Sequence, residues 1–319
     1  MRLLCALALL ALPLAPAFAQ EGEPPTPASV VAEAPAGDWR AIDPADLLVM
    51  ELAPDRDGAE RRVIIQLLPP PFSQGWVGNI RALARAHWWD GTTVYRVVDN
   101  WVAQWGDGED DGEPVKPLPE GLRVVPESEY VSTASAGDEG AIILWHPRDY
   151  VDDLYADWAQ FEDGWPIASA ISEDTRSLTS WPTHCYGSVG VARDLSPDTG
   201  TGAELYAVIG HAPRQLDRNI AVVGRVIEGI EHLSILPRGT GEAGVYADPA
   251  QRVPILSVRL GDELAPSDQP RFEYLATDSD SFARYVQVRA NRSDPFYKVP
   301  AGGIDVCNVQ VPIRRVAAG

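Results

Sequence analysis

The residues best placed to do chemistry sit in one short run, Trp89-Asp90-Gly91-Thr92-Thr93-Val94-Tyr95-Arg96-Val97-Val98-Asp99-Asn100-Trp101-Val102-Ala103-Gln104-Trp105-Gly106-Asp107. An Asp-Gly turn feeds a strand in which Arg96 is the one cation among apolar residues, and a second strand carries Trp101, Val102 and Gln104. Arginine stays charged at any working pH and offers a rigid fork of donors. Such a fork, beside an apolar shelf and an amide, suits recognition of a peptide carbonyl next to an apolar ring. A lone arginine in a strand is more often solvated or ion-paired. Its neighbours are what single this one out.

Other chemistries fit less well. Asp107-Gly108-Glu109-Asp110-Asp111-Gly112 begins like a calcium loop, but Leu118 stands where the closing glutamate belongs and Pro114 interrupts it. It reads as a solvated acidic loop. Gly200-Thr201-Gly202 has no following lysine and reads as a turn rather than a phosphate loop. The five histidines show no metal spacing, and the adjacent His184-Cys185 reads as structural. No metal or cofactor is expected. Asn291-Arg292-Ser293 matches a glycosylation sequon, which matters only in a eukaryotic secretory pathway. A net charge of −20 repels phosphate backbones, so nucleic acid is not an expected partner.

The elements that must position the run begin late in the 319 residues. Arg2, the apolar stretch Leu3 to Leu14 and the small-x-small site Ala17-Phe18-Ala19 read as a cleavable secretory signal over residues 1–19. No other segment is apolar enough to span a membrane. Export removes Cys5 and leaves Cys185 and Cys307, which in an oxidising compartment read as one disulfide, although the sequence does not show whether the two meet. Periplasmic location is expected, with secretion as the alternative. Residues 20–45, rich in Ala, Pro and Glu, read as a disordered linker.

Strands are expected at Leu47–Leu52 and Arg62–Leu68, joined by an Asp55–Gly58 turn and stopped by Pro69-Pro70-Pro71. Ser73 can cap a helix whose Val77, Ile80, Leu83 and Ala84 recur at helical spacing. Strands follow at Thr93–Val98 and Trp101–Gln104. Residues 108–185 are the least regular part and read as an insertion, with an apolar stretch Ala141–Trp145 and a short helix over Tyr155–Phe161. Further strands are expected at Gly187–Ala192, Glu204–Ile209, Ile220–Val223 and Val253–Leu260, with a helix over Ile227–Leu236. A C-terminal extension, 262–319, should pack on the domain with a helix at Ser279–Asn291 and a strand at Val306–Ile313. Many short strands with few helices indicate a closed antiparallel β architecture.

Several segments, in order, resemble the cyclophilins, a family of peptidyl-prolyl isomerases. They are the run around Arg96, Asn79-Ile80-Arg81-Ala82-Leu83, Ala192 with Ser196-Pro197-Asp198-Thr199, Gly202-Ala203-Glu204-Leu205-Tyr206, and Leu216-Asp217-Arg218-Asn219-Ile220-Ala221-Val222-Val223-Gly224-Arg225-Val226. The resemblance covers roughly 47–107 and 186–260. It implies a closed eight-stranded barrel capped by two helices, spanning 46–261, with the ligand groove outside. It implies Arg96 as the catalytic donor to the prolyl nitrogen. Trp101, Val102, Tyr206 and Leu216 would line the proline pocket, Gln104 would hold a substrate carbonyl, and Ala192 and Arg193 would contact residues before the proline. Glu204 stands where the family usually has Gln, where a carboxylate could pair with Arg96; Trp101 and Tyr206 stand for phenylalanines. The implied activity is X-Pro isomerisation on exported, proline-containing polypeptides by a monomer. The alternative is a non-catalytic binding or chaperone module that uses the same groove.

Overall fold

The computed structural model describes residues 23–108, 116–134, 151–172 and 174–316. The expected export signal, most of the acidic run from Glu109 onward and the apolar stretch 141–145 lie outside the described residues. The chain opens with α1 (Pro27–Glu33), β1 (Trp39–Ile42), β2 (Leu47–Leu52), β3 (Arg61–Leu67), α2 (Gln74–Arg85), β4 (Thr93–Val97) and β5 (Val102–Gly106). Next come β6 (Ser132–Ala134), β7 (Trp158–Glu162), β8 (Trp165–Ile171) and β9 (Leu178–Pro182). Then follow β10 (Ser188–Val191), β11 (Leu205–Val208), β12 (Val222–Glu228), α3 (Glu231–Ser234) and β13 (Val253–Leu260). The last elements are β14 (Phe272–Leu275), α4 (Asp280–Ala290) and β15 (Ile313–Arg315).

Eight of these strands close an antiparallel barrel in the order β10-β11-β5-β4-β13-β2-β3-β12. Alternation along the strands sorts their side chains. On β2 and β3, Leu48, Met50, Leu52, Val63, Ile65 and Leu67 enter the main core. Their neighbours Leu47, Val49 and Ile64 face outward and are covered by Ile42 and Phe272. Both faces are therefore buried, which is why these strands read as continuous apolar runs. On α2, Trp76, Val77, Ile80, Leu83 and Ala84 form a stripe on the same core, and Leu233 of α3 joins it. The hairpin between β2 and β3 forms as expected, with Asp55 Oδ1 accepting from the backbone of Asp57 and Ala59 at 2.9 Å each.

The structure corrects five expectations. Residues 23–45 carry a helix and a strand rather than a disordered linker. Thr26 caps α1 in a reciprocal box with Ser29, and β1 pairs with β14. Val30 and Trp39 find their apolar partners in Leu275, Phe282, Tyr285 and Val311, far along the chain, which local composition does not reveal. The Tyr155–Phe161 region contains no helix. It leads into a hairpin of β7 and β8 within a four-stranded sheet, β6-β9-β8-β7. The hairpin turns on Asp163-Gly164, with positive φ of 46° and 84° at the two positions, the backbone that Asp-Gly favours. The helix expected from Ile227 starts only at Glu231, because Glu228 still pairs with Ile64 across β3. The strand expected at Val306–Ile313 is a single tight turn at Val306–Asn308 followed by β15. Ser73 holds the cap position of α2 in a left-handed backbone with no side-chain cap bond.

Candidate active site

Strand register brings together residues that lie far apart in the chain. Arg96 on β4 pairs with Gln104 on β5, Gln104 pairs with Tyr206 on β11, and Tyr206 pairs with Gly190 on β10. These four positions form one row across the outside of the barrel. The register of β4 slips between Val94 and Arg96, the two-for-one count of a β-bulge. Tyr95 and Arg96 thus both reach Gln104. Arg96 Nη1 donates to Gln104 Oε1 at 2.8 Å, and Gln104 Nε2 donates to the Tyr95 hydroxyl. Arg96 Nε donates to the Ala243 carbonyl at 2.7 Å, so a loop after α3 fixes the guanidinium from the other side. Nη2 has no acceptor among the described residues. Burial lowers the pKa of Arg96 below its ordinary value, as expected for a cation partly withdrawn from water.

Glu204 does not pair with Arg96. Its carboxylate accepts from the Tyr95 hydroxyl at 2.8 Å and from the Asp107 backbone N–H at 2.8 Å. Burial raises its pKa from 4.5, against the lowering effect of those two donors. Burial also raises Tyr95, with Glu204 beside it adding to the shift. The bonds form a chain: Arg96 to Gln104, Gln104 to Tyr95, Tyr95 to Glu204. Tyr95 was not singled out in the sequence, where it reads as one more apolar strand residue.

Next to this chain lies an apolar pocket. Val102, Tyr206 and Val208 form a buried cluster flanked by Ala192, Leu216 and Ile220. Trp101 stands at the rim, 37% exposed, with the Arg96 guanidinium 5.6 Å from its ring centre. Arg193 is turned onto backbone, donating to the Asn219 carbonyl at 3.1 and 2.9 Å and to Asp194 at 2.6 Å. It ties the loop after Ala192 to the loop after Leu216.

Tyr206 is only 4% exposed, so its hydroxyl needs an internal partner. His184, fully buried, supplies one: its Nε2 lies 2.9 Å from the hydroxyl and its Nδ1 lies 2.9 Å from Asp217. Because the Asp217 carboxylate is an acceptor, we assign the imidazole proton to Nδ1, and Nε2 accepts from Tyr206. Asp217 also accepts from Arg214 Nε at 2.6 Å, and Arg214 holds Asp153 of the insertion through two bonds of 2.6 and 3.0 Å. Room for the tyrosine comes from Gly190, where a Cβ would lie 2.3 Å from the Tyr206 hydroxyl oxygen. The sequence carries no local signal for this role of His184, because its partner Tyr206 lies on another strand. Beside His184, Cys185 forms a disulfide with Cys307 and so joins the end of the insertion to the C-terminal extension.

Comparisons with known proteins bear on the fold and the family. A search of curated proteins finds no match. Among solved structures, the cyclophilin AquaCyp293 from Hirschia baltica superposes with a TM-score of 0.60 at 23% identity, covering 93% of this chain and 99% of that one. At that identity the likeness speaks for the fold. A cyclophilin-type peptidyl-prolyl cis-trans isomerase from Cryptosporidium parvum, solved with the dipeptide Ala-Pro, aligns at a TM-score of 0.36 and 12% identity over 66% of this chain and 98% of its own. The family model described as cyclophilin type peptidyl-prolyl cis-trans isomerase matches residues 75–260. That span includes the whole row from Arg96 to Gly190 and its pocket, and the chain belongs to the cyclophilin family.

Proposed function

We propose that this chain is an active peptidyl-prolyl isomerase that assists the folding of exported polypeptides. One observation supports this most: Arg96, Gln104 and Tyr206 lie in a single cross-strand row, with one guanidinium nitrogen left without an acceptor among the described residues. The barrier to X-Pro rotation is about 18–20 kcal/mol, because twisting the amide breaks its resonance. Nothing is cleaved, so the site needs only to favour the twisted state. There the prolyl nitrogen regains its lone pair, and Arg96 Nη2 donates a hydrogen bond to it. Gln104 keeps a second Nε2 hydrogen for the carbonyl of the residue before proline. Val102, Tyr206 and Leu216 receive the pyrrolidine ring, with Trp101 at the rim. Ala192 and the Arg193 backbone, held in place by Asn219, flank the residues before proline.

The same proposal places the protein outside the cytoplasm, in a periplasm, after removal of residues 1–19. The Cys185–Cys307 bond supports this, since such bonds persist in oxidising compartments. The test of activity is a protease-coupled assay on X-Pro peptides. The proposal predicts acceleration above the uncatalysed exchange of tens of seconds. Tight peptide binding without acceleration would instead identify a binding module.

A further inference from the structure

A cleft of about 1000 Å³ lies away from the row, between the barrel and the layers added to it. Its walls include Val31 of α1, Trp39 of β1, Trp165 of β8, Arg225 of β12, Arg289 of α4 and Val311. None of the proline-pocket residues lines it. In a chain of net charge −20, this cleft gathers Arg225, Arg289, Arg292 and Arg314 against Glu228 and Glu231 alone among the described residues. Glu228 is already engaged by Arg315, Arg292 by Asp294 and Arg314 by Glu273.

Arg225 and Arg289 differ from these. Arg225 donates only to neutral acceptors, Gln66 Oε1 at 3.0 and 2.8 Å and the Gly164 carbonyl at 2.7 Å, while its guanidinium stacks 4.2 Å from the centre of the Trp165 ring. Arg289 donates to the Asn308 carbonyl at 2.6 Å and weakly to Tyr285 at 3.4 Å. Neither has a carboxylate partner among the described residues. Withdrawal of a cation from water normally brings an anion beside it. For Arg225, burial lowers the pKa to about 9, the shift expected when no such anion is present.

A second observation is independent of charge. Trp39 Nε1, Trp165 Nε1 and Arg289 Nε are buried donors without an acceptor among the described residues, and all three belong to residues that line this cleft. The walls set the four arginines beside apolar surface from Val31, Val309 and Val311, with Thr26, Thr183, Ser188 and Gln310 as further polar lining. Its volume falls at the upper end of the range for small-molecule sites.

We infer that this cleft is a binding site for a small amphipathic organic anion, with the anionic head between Arg225 and Arg289 and the apolar body along Val31, Trp39 and Val311. Octanoate is the probe, titrated calorimetrically into the intact mature protein, with 1-octanol as the uncharged control. The site predicts saturable one-to-one binding of octanoate and at least about tenfold weaker binding of octanol, the loss that follows from removing charge-assisted hydrogen bonds. Arg289→Gln and Arg225→Gln should each weaken octanoate by a similar factor, and Arg56→Gln, in the exposed hairpin turn, should not. Arg225 also holds Gly164, so its variant is checked for folding by thermal melt. Should it fail to fold, Arg289→Gln and Gln310→Trp, which fills the cleft from an exposed position, decide the matter. X-Pro isomerisation by Arg289→Gln should match wild type, which separates this site from the row at Arg96. Absence of saturation, equal binding of octanol, or octanoate binding unchanged by both Arg289→Gln and Gln310→Trp would overturn the inference.

Discussion

Glu204 shows how one residue type changes a site. The carboxylate accepts from Tyr95 and the Asp107 backbone, so it orders Gln104 through Tyr95 and leaves Arg96 unneutralised. Burial raises its pKa above 4.5, which fixes the sign of two effects. For stability, a carboxyl with a raised folded pKa favours the folded state fully below 4.5, and that contribution is lost as pH rises through the folded value. Glu204→Gln should therefore flatten the pH dependence of the melting temperature above pH 4.5. For activity, kcat/KM should fall on an acid limb that lies above 4.5, as protonation takes an acceptor from Tyr95. The limb should disappear in Glu204→Gln, and a limb that persists there would assign the titration elsewhere. At the other end of the row, His184→Ala strands the Tyr206 hydroxyl and one side of Asp217 in a buried site. The expected cost is about 1–3 kcal/mol in denaturant unfolding. Tyr206→Phe in the His184→Ala background should recover part of it.

At the scale of elements, the site depends on register. One row across β10, β11, β5 and β4 carries Gly190, Tyr206, Gln104 and Arg96, and the bulge in β4 adds Tyr95. Gly190→Ala would drive a Cβ into the Tyr206 hydroxyl oxygen. We expect a raised KM for X-Pro peptides with a smaller change in kcat, since the pocket moves while Arg96 stays anchored to Ala243. The barrel strands and α2 were legible in the sequence because short apolar runs and helical spacing are local signals. The row's membership was legible only through the family resemblance. His184 and Tyr95 were not, since each acts through a partner on another strand. The β7–β8 hairpin carried a readable Asp163-Gly164 turn, yet the apolar residues on both sides obscured the alternation of its strands.

At the scale of the molecule, segments from both ends of the chain build one layer. β1, β14 and β15 form a single sheet, and Phe272 with Ile42 covers the outer face of β2 and β3. Composition alone placed residues 20–45 outside the fold. Their few large apolar side chains suffice because α4 and β14 supply the rest of a shared cluster. The disulfide closes a sequence separation of 122 residues and ties this layer to the end of the insertion. Cross-linking a loop of this length stabilises by about 4–5 kcal/mol in the chain-entropy account, and losing a native bond commonly costs about 2–5 kcal/mol. Cys307→Ser should lower stability within that range by chemical denaturation, while the barrel row keeps its register and isomerisation at low temperature persists. Loss of activity without loss of stability would show that the bond acts on the pocket through His184.

The central claim is that Arg96 stabilises the twisted prolyl amide. It is tested most directly by NMR exchange spectroscopy on an X-Pro peptide with the wild-type chain and with Arg96→Ala. Removing one preorganised donor costs about 3 kcal/mol, so exchange should be faster than uncatalysed with wild type and about a hundredfold slower in kcat/KM with Arg96→Ala. Equal exchange rates for the two proteins would contradict the account.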